Sequence, residues 1–248
     1  MDTASEPRTT AIRLPAFIYL TGADGTGKST QAGLLLKRLD QLGVPCRHLW
    51  LRFPFLLSLP LLAYARWQGF SWHEQTGGVD HGYWDFRPSW LLRRILPLTV
   101  LADAALASLF AVYVPLWAGT TIVCERYVLD MMVDLSLATG MRMVGSWALR
   151  SLVRLLPART LVIGLTAPEC LVASRRWDLQ HDRTLGAKLA AYEEIFEALQ
   201  CPVVSVVAPI SQVHDQLFAL VSNTFHGTLA TASATRCIVS RTGPIGIT

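Results

Sequence analysis

The chain has 248 residues, of which 52% are hydrophobic and only 16% charged, so it can bury a large core and is not a disordered polymer. Its formal charge of +4 is scattered along the chain, with no run of five basic residues, which argues against nucleic acid as a partner. The five cysteines form no CxxC pair and have no His at metal-ligand spacing, which excludes a zinc ribbon and a disulfide framework and fits reduced thiols in a cytoplasmic setting.

Residues 1–15 carry Asp2 and Glu6 without an apolar run and read as a disordered arm, not a secretory signal. Apolar, β-rich runs then recur at 17–21, 46–51, 120–124, 159–166 and 202–207, each followed by a segment of helical character. The helices expected lie at 28–42, 89–117, 128–139, 144–156, 168–176, 184–199 and 212–223. Alternation of this kind specifies a parallel sheet covered on both faces. The expected architecture is therefore α/β, a three-layer P-loop NTPase fold with five parallel strands, in one domain over 16–224. Residues 53–87 are rich in aromatics, are broken by Gly77-Gly78 and fit no element. Residues 225–248 mix Thr, Ala, Ser and Gly without periodicity and read as a disordered tail.

Residues 95–119 are apolar almost throughout, long enough to span a bilayer, and interrupted by Asp103. A charged residue so far inside a span is costly, so a helix buried between the sheet and a subunit interface is preferred to a transmembrane segment. A homodimer through helix 91–117 is the partner expectation, ahead of membrane association.

Directly after the first strand stands Gly22-Ala23-Asp24-Gly25-Thr26-Gly27-Lys28-Ser29, which fits G-x-x-x-x-G-K-[ST] without a mismatch. A chance match is expected in about one chain of this length in a hundred, and its place between a strand and a helix makes chance rarer still. Glycines let successive N–H groups curl around phosphate oxygens at a positive helix terminus. Gly22, Asp24, Gly25, Thr26, Gly27, Lys28, Ser29 and Thr30 are thus assigned to ATP, with Lys28 on the β- and γ-phosphates and Ser29 on Mg2+. Glu125 ends a buried strand beside this loop, where open α/β sheets place their ligands. It is a second candidate for Mg2+ or for orienting the acceptor, against the alternative of a structural ion pair with Arg126.

With Asp24 in the loop and Ser29-Thr30-Gln31 closing it, the segment resembles the thymidylate kinases, which move the γ-phosphate of ATP to dTMP. Leu51-Arg52-Phe53-Pro54 looks like that family's arginine segment at the acceptor phosphate. Cys124-Glu125-Arg126-Tyr127 resembles its Asp-Arg-Tyr signature. Arg175-Arg176, Asp182-Arg183 and Tyr192 look like its arginine-bearing lid, here about 174–184. The similarity spans about 17–223, and only the loop is specific alone.

The resemblance implies a nucleoside monophosphate kinase active in nucleotide biosynthesis, with ATP and Mg2+ as cofactors and a small-molecule phosphate acceptor, dTMP first. It implies catalytic roles for Lys28, Glu125 and one or more of Arg175, Arg176 and Arg183, and an acceptor site of Asp24, Arg52, Phe53, Arg126 and Tyr127. Physically, mobile arginines supply positive charge where the transferred group is negative, although a basic cluster at a helix end can merely complement the macrodipole.

The chain departs from the family in two places. Ala102-Asp103-Ala104 stands where an Arg is expected to reach the acceptor phosphate. Asp130 and Asp134, four apart on one helix face, replace residues that meet the base and are assigned to the acceptor site, where they would suit hydroxyl or amine groups. Two further readings stay open: a P-loop kinase of a sugar, nucleoside or other hydroxyl compound, and a non-enzymatic, membrane-associated nucleotide-binding protein.

Overall fold

A computed structural model describes residues 16–52, 56–76, 78–142 and 144–225. The expected arm at 1–15, the tail beyond Phe225 and the acceptor candidate Phe53 lie outside the described residues.

The sequence runs β1 (Phe17–Thr21), α1 (Lys28–Gln41), β2 (Cys46–Trp50), α2 (Leu59–Trp67), β3 (Ser71–Thr76), β4 (Val79–Trp84) and α3 (Trp90–Ser108). After α3 a π-helical turn, Leu109–Tyr113, leads into α4 (Val114–Trp117). There follow β5 (Thr121–Glu125), α5 (Val128–Thr139), α6 (Trp147–Val153), β6 (Thr160–Thr166), α7 (Glu169–Arg175), a 3-10 turn (Trp177–His181), α8 (Leu185–Leu199), β7 (Val203–Ser205) and α9 (Ile210–Phe225). Five strands form one parallel sheet in the order β2-β5-β1-β6-β7. Helices cover both faces, giving the three-layer P-loop-like architecture.

The period-2 alternation of each strand divides the core. Phe17 and Tyr19 of β1, Ile122 and Cys124 of β5 and Val162 of β6 pack on one side with Val128, Met131 and Met132 of α5, Leu149 of α6 and Ile195 of α8. Ile18 and Leu20, Val123, and Leu161, Ile163 and Leu165 face the other side, against Leu35 and Leu39 of α1 and Leu217 and Val221 of α9. Because β1 lies between β5 and β6 with its whole length buried, the loop that leaves its carboxyl end is held from both sides.

The unassigned segment contains α2 and an antiparallel hairpin, β3 and β4, paired from Ser71↔Trp84 to Thr76↔Val79 across a two-residue connection. Gly78 takes φ 81°, as such turns demand. Phe86, just after β4, roots this unit in a separate small core with Ala65 of α2, Leu92, Leu96 and Val100 of α3 and Leu135 of α5.

Asp103, the charge inside the apolar stretch, is buried against α2. Its carboxylate accepts from the backbone N–H of Leu56 (3.2 Å), Leu57 (2.7 Å) and Ser58 (2.9 Å) and from the Ser58 hydroxyl (2.7 Å). Burial pushes this carboxyl up, but those donors outweigh it and hold the group below the usual carboxylate range. The π turn has a local cause as well. Pro115 has no N–H to give the carbonyl of Ala111, four residues back, and that carbonyl instead accepts from Arg47 at 3.1 Å.

Candidate functional site

Where the central strands end, a cavity of about 610 Å³ opens over residues 24–31. Trp50, Arg52, Glu125, Arg126, Arg175 and Arg176 line its other walls, with Val206 and Ile210 forming an apolar side.

The loop is shaped by its glycines. Gly22 has φ 148°, and a Cβ there would stand 2.4 Å from the carbonyl oxygen of Leu165 on β6. Gly27, at φ 80°, precedes α1 without any side-chain cap, so the first N–H groups of the helix remain aimed at the cavity.

Lys28 is only 5% exposed, and its Nζ donates to the carbonyls of Gly22 (2.6 Å) and Ala23 (2.7 Å) while standing 3.8 Å from Asp24. Burial lowers its pKa to about 8; the carboxylates of Asp130 and Glu125 oppose the shift, and the guanidinium groups of Arg52 and Arg176 add to it.

Glu125 joins three elements. Oε2 accepts from the Ser29 hydroxyl at 2.5 Å, and Oε1 lies 2.7 Å from Nε2 of His48 on the neighbouring strand β2. His48 and Trp50 share one face of that edge strand, and Trp50 lies in register with Glu125. Trp50 is 55% exposed, large for an aromatic at a cavity wall.

Ser29 and Glu125 are hard oxygen donors side by side at the helix terminus. Among the described residues no group of three His, Cys, Asp or Glu could hold a metal. This donor set fits Mg2+, which keeps most of its waters and is shared with phosphates instead of being caged by protein.

Arg126 takes a left-handed φ of 65°, rare for a residue with a side chain, and its guanidinium pairs with Asp24 of the loop. The backbone turn at the end of β5 thereby aims Arg126 back over the cavity. Arg52 Nε and Nη2 donate to Asp134 Oδ2 at 3.2 and 3.1 Å. Arg175 donates to the Val206 carbonyl at 2.7 Å, and Arg176 pairs with Asp178. Thr26 is buried, its hydroxyl donating to the Ala23 carbonyl at 2.8 Å, while Thr30 is exposed at the cavity.

Several expected site residues lie elsewhere. Asp130 is fully buried and does not form an acceptor-facing pair with Asp134. One of its oxygens accepts from the Tyr19 hydroxyl at 2.5 Å and from the Tyr127 N–H at 3.0 Å, the other from the Tyr192 hydroxyl at 2.7 Å. A carboxylate in the first turn of α5 is favoured there by the helix N-terminus. Tyr127 is equally buried, its hydroxyl engaged with Ser108 and the Leu155 carbonyl, because the ring fills the core beside Phe17 and Tyr19. Ala104 is fully buried in that same core, so the position expected to hold an acceptor arginine does not face the cavity.

Arg183 is not among the cavity residues. It pairs with Glu74 of β3 at 3.3 Å and lies over the rings of Tyr83 (4.9 Å) and Trp72 (5.8 Å). The Trp177 ring of the 3-10 turn rests against the hairpin turn at Gly78. The segment expected to act as a lid is therefore clasped to the hairpin at one end and lines the cavity through Arg175 and Arg176 at the other.

Sequence reasoning missed His48, Trp50 and Gln31. The side-chain amide of Gln31 donates to the Ile210 carbonyl at 3.1 Å, while its buried Oε1 has no partner among the described residues. The alternation of His48 and Trp50 on a strand that stops beside the loop was the available signal.

No family model matches the chain, and no curated protein matches it significantly.

Proposed function

We propose that this protein is a Mg2+-dependent phosphotransferase of thymidylate kinase type, moving the γ-phosphate of ATP to a nucleoside monophosphate, with dTMP the first acceptor to test. The observation that carries the reading is the meeting of the Gly22-to-Ser29 loop, the Ser29–Glu125 pair and four arginines, Arg52, Arg126, Arg175 and Arg176, around one cavity.

In this reading Lys28 turns from the loop carbonyls to the β- and γ-phosphates, and the loop N–H groups hold the phosphate chain. Ser29 would ligate Mg2+ and Glu125 would hold it through water, with His48 fixing the carboxylate from the far side. When bound, Mg2+ neutralises charge on the transferring group. Arg52 and Arg126 exchange their carboxylate partners for the acceptor phosphate, and two arginines suffice for one dianion. An acceptor oxygen forms the new bond to the γ-phosphorus as the bond to the β-phosphate oxygen breaks, releasing ADP. Arg175 and Arg176 meet the charge that develops in between.

The removal of Asp130 from the acceptor side withdraws one objection to a phosphate-bearing acceptor. Asp134, paired with the cavity residue Arg52, favours a second reading in which the acceptor is a sugar or other hydroxyl compound. The test is transfer of labelled γ-phosphate from ATP to a panel of nucleoside monophosphates and sugars. Product on dTMP above all others supports the first reading, product on a sugar the second, and no product on any acceptor removes both.

A further inference from the structure

Helix residues Trp90–Trp117 are long and apolar enough to cross a membrane by length and composition, and only 39% of the apolar window is buried in the protein. What remains exposed is ordered. Leu91, Leu98, Leu106, Phe110, Val114 and Trp117 follow one another at helical spacing, with Phe110 66% and Trp117 73% exposed. At 1.5 Å per residue this stripe is about 40 Å long. Between Ile95 and Trp117 the one charged residue is Asp103, and it is buried in its bonds to Leu57 and Ser58, just before α2. Those bonds also set the exposed Leu56 and Leu57 beside the middle of the stripe. A contiguous apolar surface of this extent marks a contact with another phase or another molecule.

The stripe's N-terminal end is different in kind. Arg94 follows Leu91 by three and precedes Leu98 by four, so it stands on the stripe's own row. Together with Arg93, Trp90, Trp147, Thr139 and Met141 it lines a second cavity of about 300 Å³, outside the P-loop site. Trp147 and Arg150 of α6, and Arg154 that caps it, are all exposed. From Phe86 to Ala102, and again from Thr139 to Thr160, the sequence holds arginines and no acid. Among the described residues Arg93, Arg94 and Arg150 have no carboxylate partner.

We infer that this face docks the protein onto an anionic lipid bilayer, the stripe lying in the interface and Arg93 and Arg94 engaging lipid phosphates between the rings of Trp90 and Trp147. Apolar residues beside arginines and exposed tryptophans are what a helix in the membrane plane presents. A second copy of the chain suits the charges less well. In an antiparallel pairing Arg93 and Arg94 would meet the end toward Trp117, where residues 104–124 include no acid and Arg47 is bonded to the Ala111 carbonyl; in a parallel one they would meet each other.

The experiment is co-sedimentation of the full chain with vesicles of phosphatidylcholine alone and of phosphatidylcholine mixed with phosphatidylglycerol. Binding is expected on the mixed vesicles and should weaken as salt is raised. Arg93→Ala with Arg94→Ala should reduce it about 25-fold, at about fivefold per arginine, and should flatten the salt dependence. Phe110→Ser with Trp117→Ser should reduce binding about tenfold or more on the same vesicles, since both side chains are apolar and exposed. Circular dichroism of each variant checks the fold, and all four positions are exposed. No binding to either vesicle overturns the inference. So does a stable dimer in light scattering that Phe110→Ser with Trp117→Ser dissociates while vesicle binding is unaltered, because a second copy then covers the stripe.

Discussion

Ser29 at the start of α1 and Glu125 at the end of β5 stand 96 positions apart and share a 2.5 Å hydrogen bond, with His48 on the carboxylate's other oxygen. In the proposed kinase reading Ser29 and Glu125 act as one unit toward Mg2+. Ser29→Ala and Glu125→Gln should each raise the Mg2+ concentration needed for half-maximal transfer, and Glu125→Gln should also lower kcat about 100-fold, in the range of lost charge stabilisation. Magnesium titrations of both variants matching the parent's would detach the pair from the metal.

Lys28 carries a pH signature. Its pKa, lowered by burial to about 8, means that the free protein loses this cation as pH rises through that value, well below the ordinary 10.5. In the proposed reading the charged form binds phosphate, so kcat/KM for ATP should fall above about pH 8 and kcat, measured with the phosphates already paired to Lys28, at higher pH. Lys28→Met should lower kcat by roughly 1,000-fold and abolish that limb. A profile flat to pH 9.5 in the parent would contradict the assignment.

The arginines at 175, 176 and 183 should separate into two classes. Arg175→Ala or Arg176→Ala should slow transfer far more than it weakens ATP binding, as for contacts strongest in the transition state. Arg183→Ala should instead loosen the hairpin, seen as faster proteolysis within 71–84 and altered tryptophan fluorescence, with kcat changed less than about tenfold. Equal losses of kcat in all three would show that Arg183 reaches the chemistry.

Ala104→Arg should not improve dTMP use. A guanidinium at a fully buried core position is costly, and the variant should lose about 4 kcal/mol or fail to fold. Denaturant unfolding measures the loss, and a stable variant with faster dTMP turnover would show that the helix can rotate Ala104 toward the acceptor.

Asp130→Ala should behave as a core lesion, leaving the hydroxyls of Tyr19 and Tyr192 without their carboxylate acceptor at a cost of about 3 kcal/mol. Its KM for the acceptor should hold within about twofold wherever the variant is folded, since a buried carboxylate makes no substrate contact. A large KM change with unaltered stability would return Asp130 to the acceptor site.

The shape of the glycine-rich loop after β1, the alternation of strands and helices and the parallel sheet were legible in the residues alone. Each of these is carried by local signals: glycines where φ must be positive, a Lys and a Ser at fixed offsets, apolar periods of two and of about 3.6. The sequence also held a hairpin signal, Gly77-Gly78 between aromatic runs, but α2 and the two strands are too short to carry a clear period, and β3 and β4 pair with each other outside the main sheet. Which charges face the cavity depends on contacts between elements far apart in the chain. Asp130 and Asp134 are four apart on one helix, yet Tyr19 and Tyr192 enclose the first while the second pairs with the cavity residue Arg52, and no spacing along α5 distinguishes them. Nor could local pattern place Arg183 on the hairpin or Ala104 in the core, because burial is set by the elements that arrive from elsewhere in the chain and cover a residue, not by the residue's own neighbours.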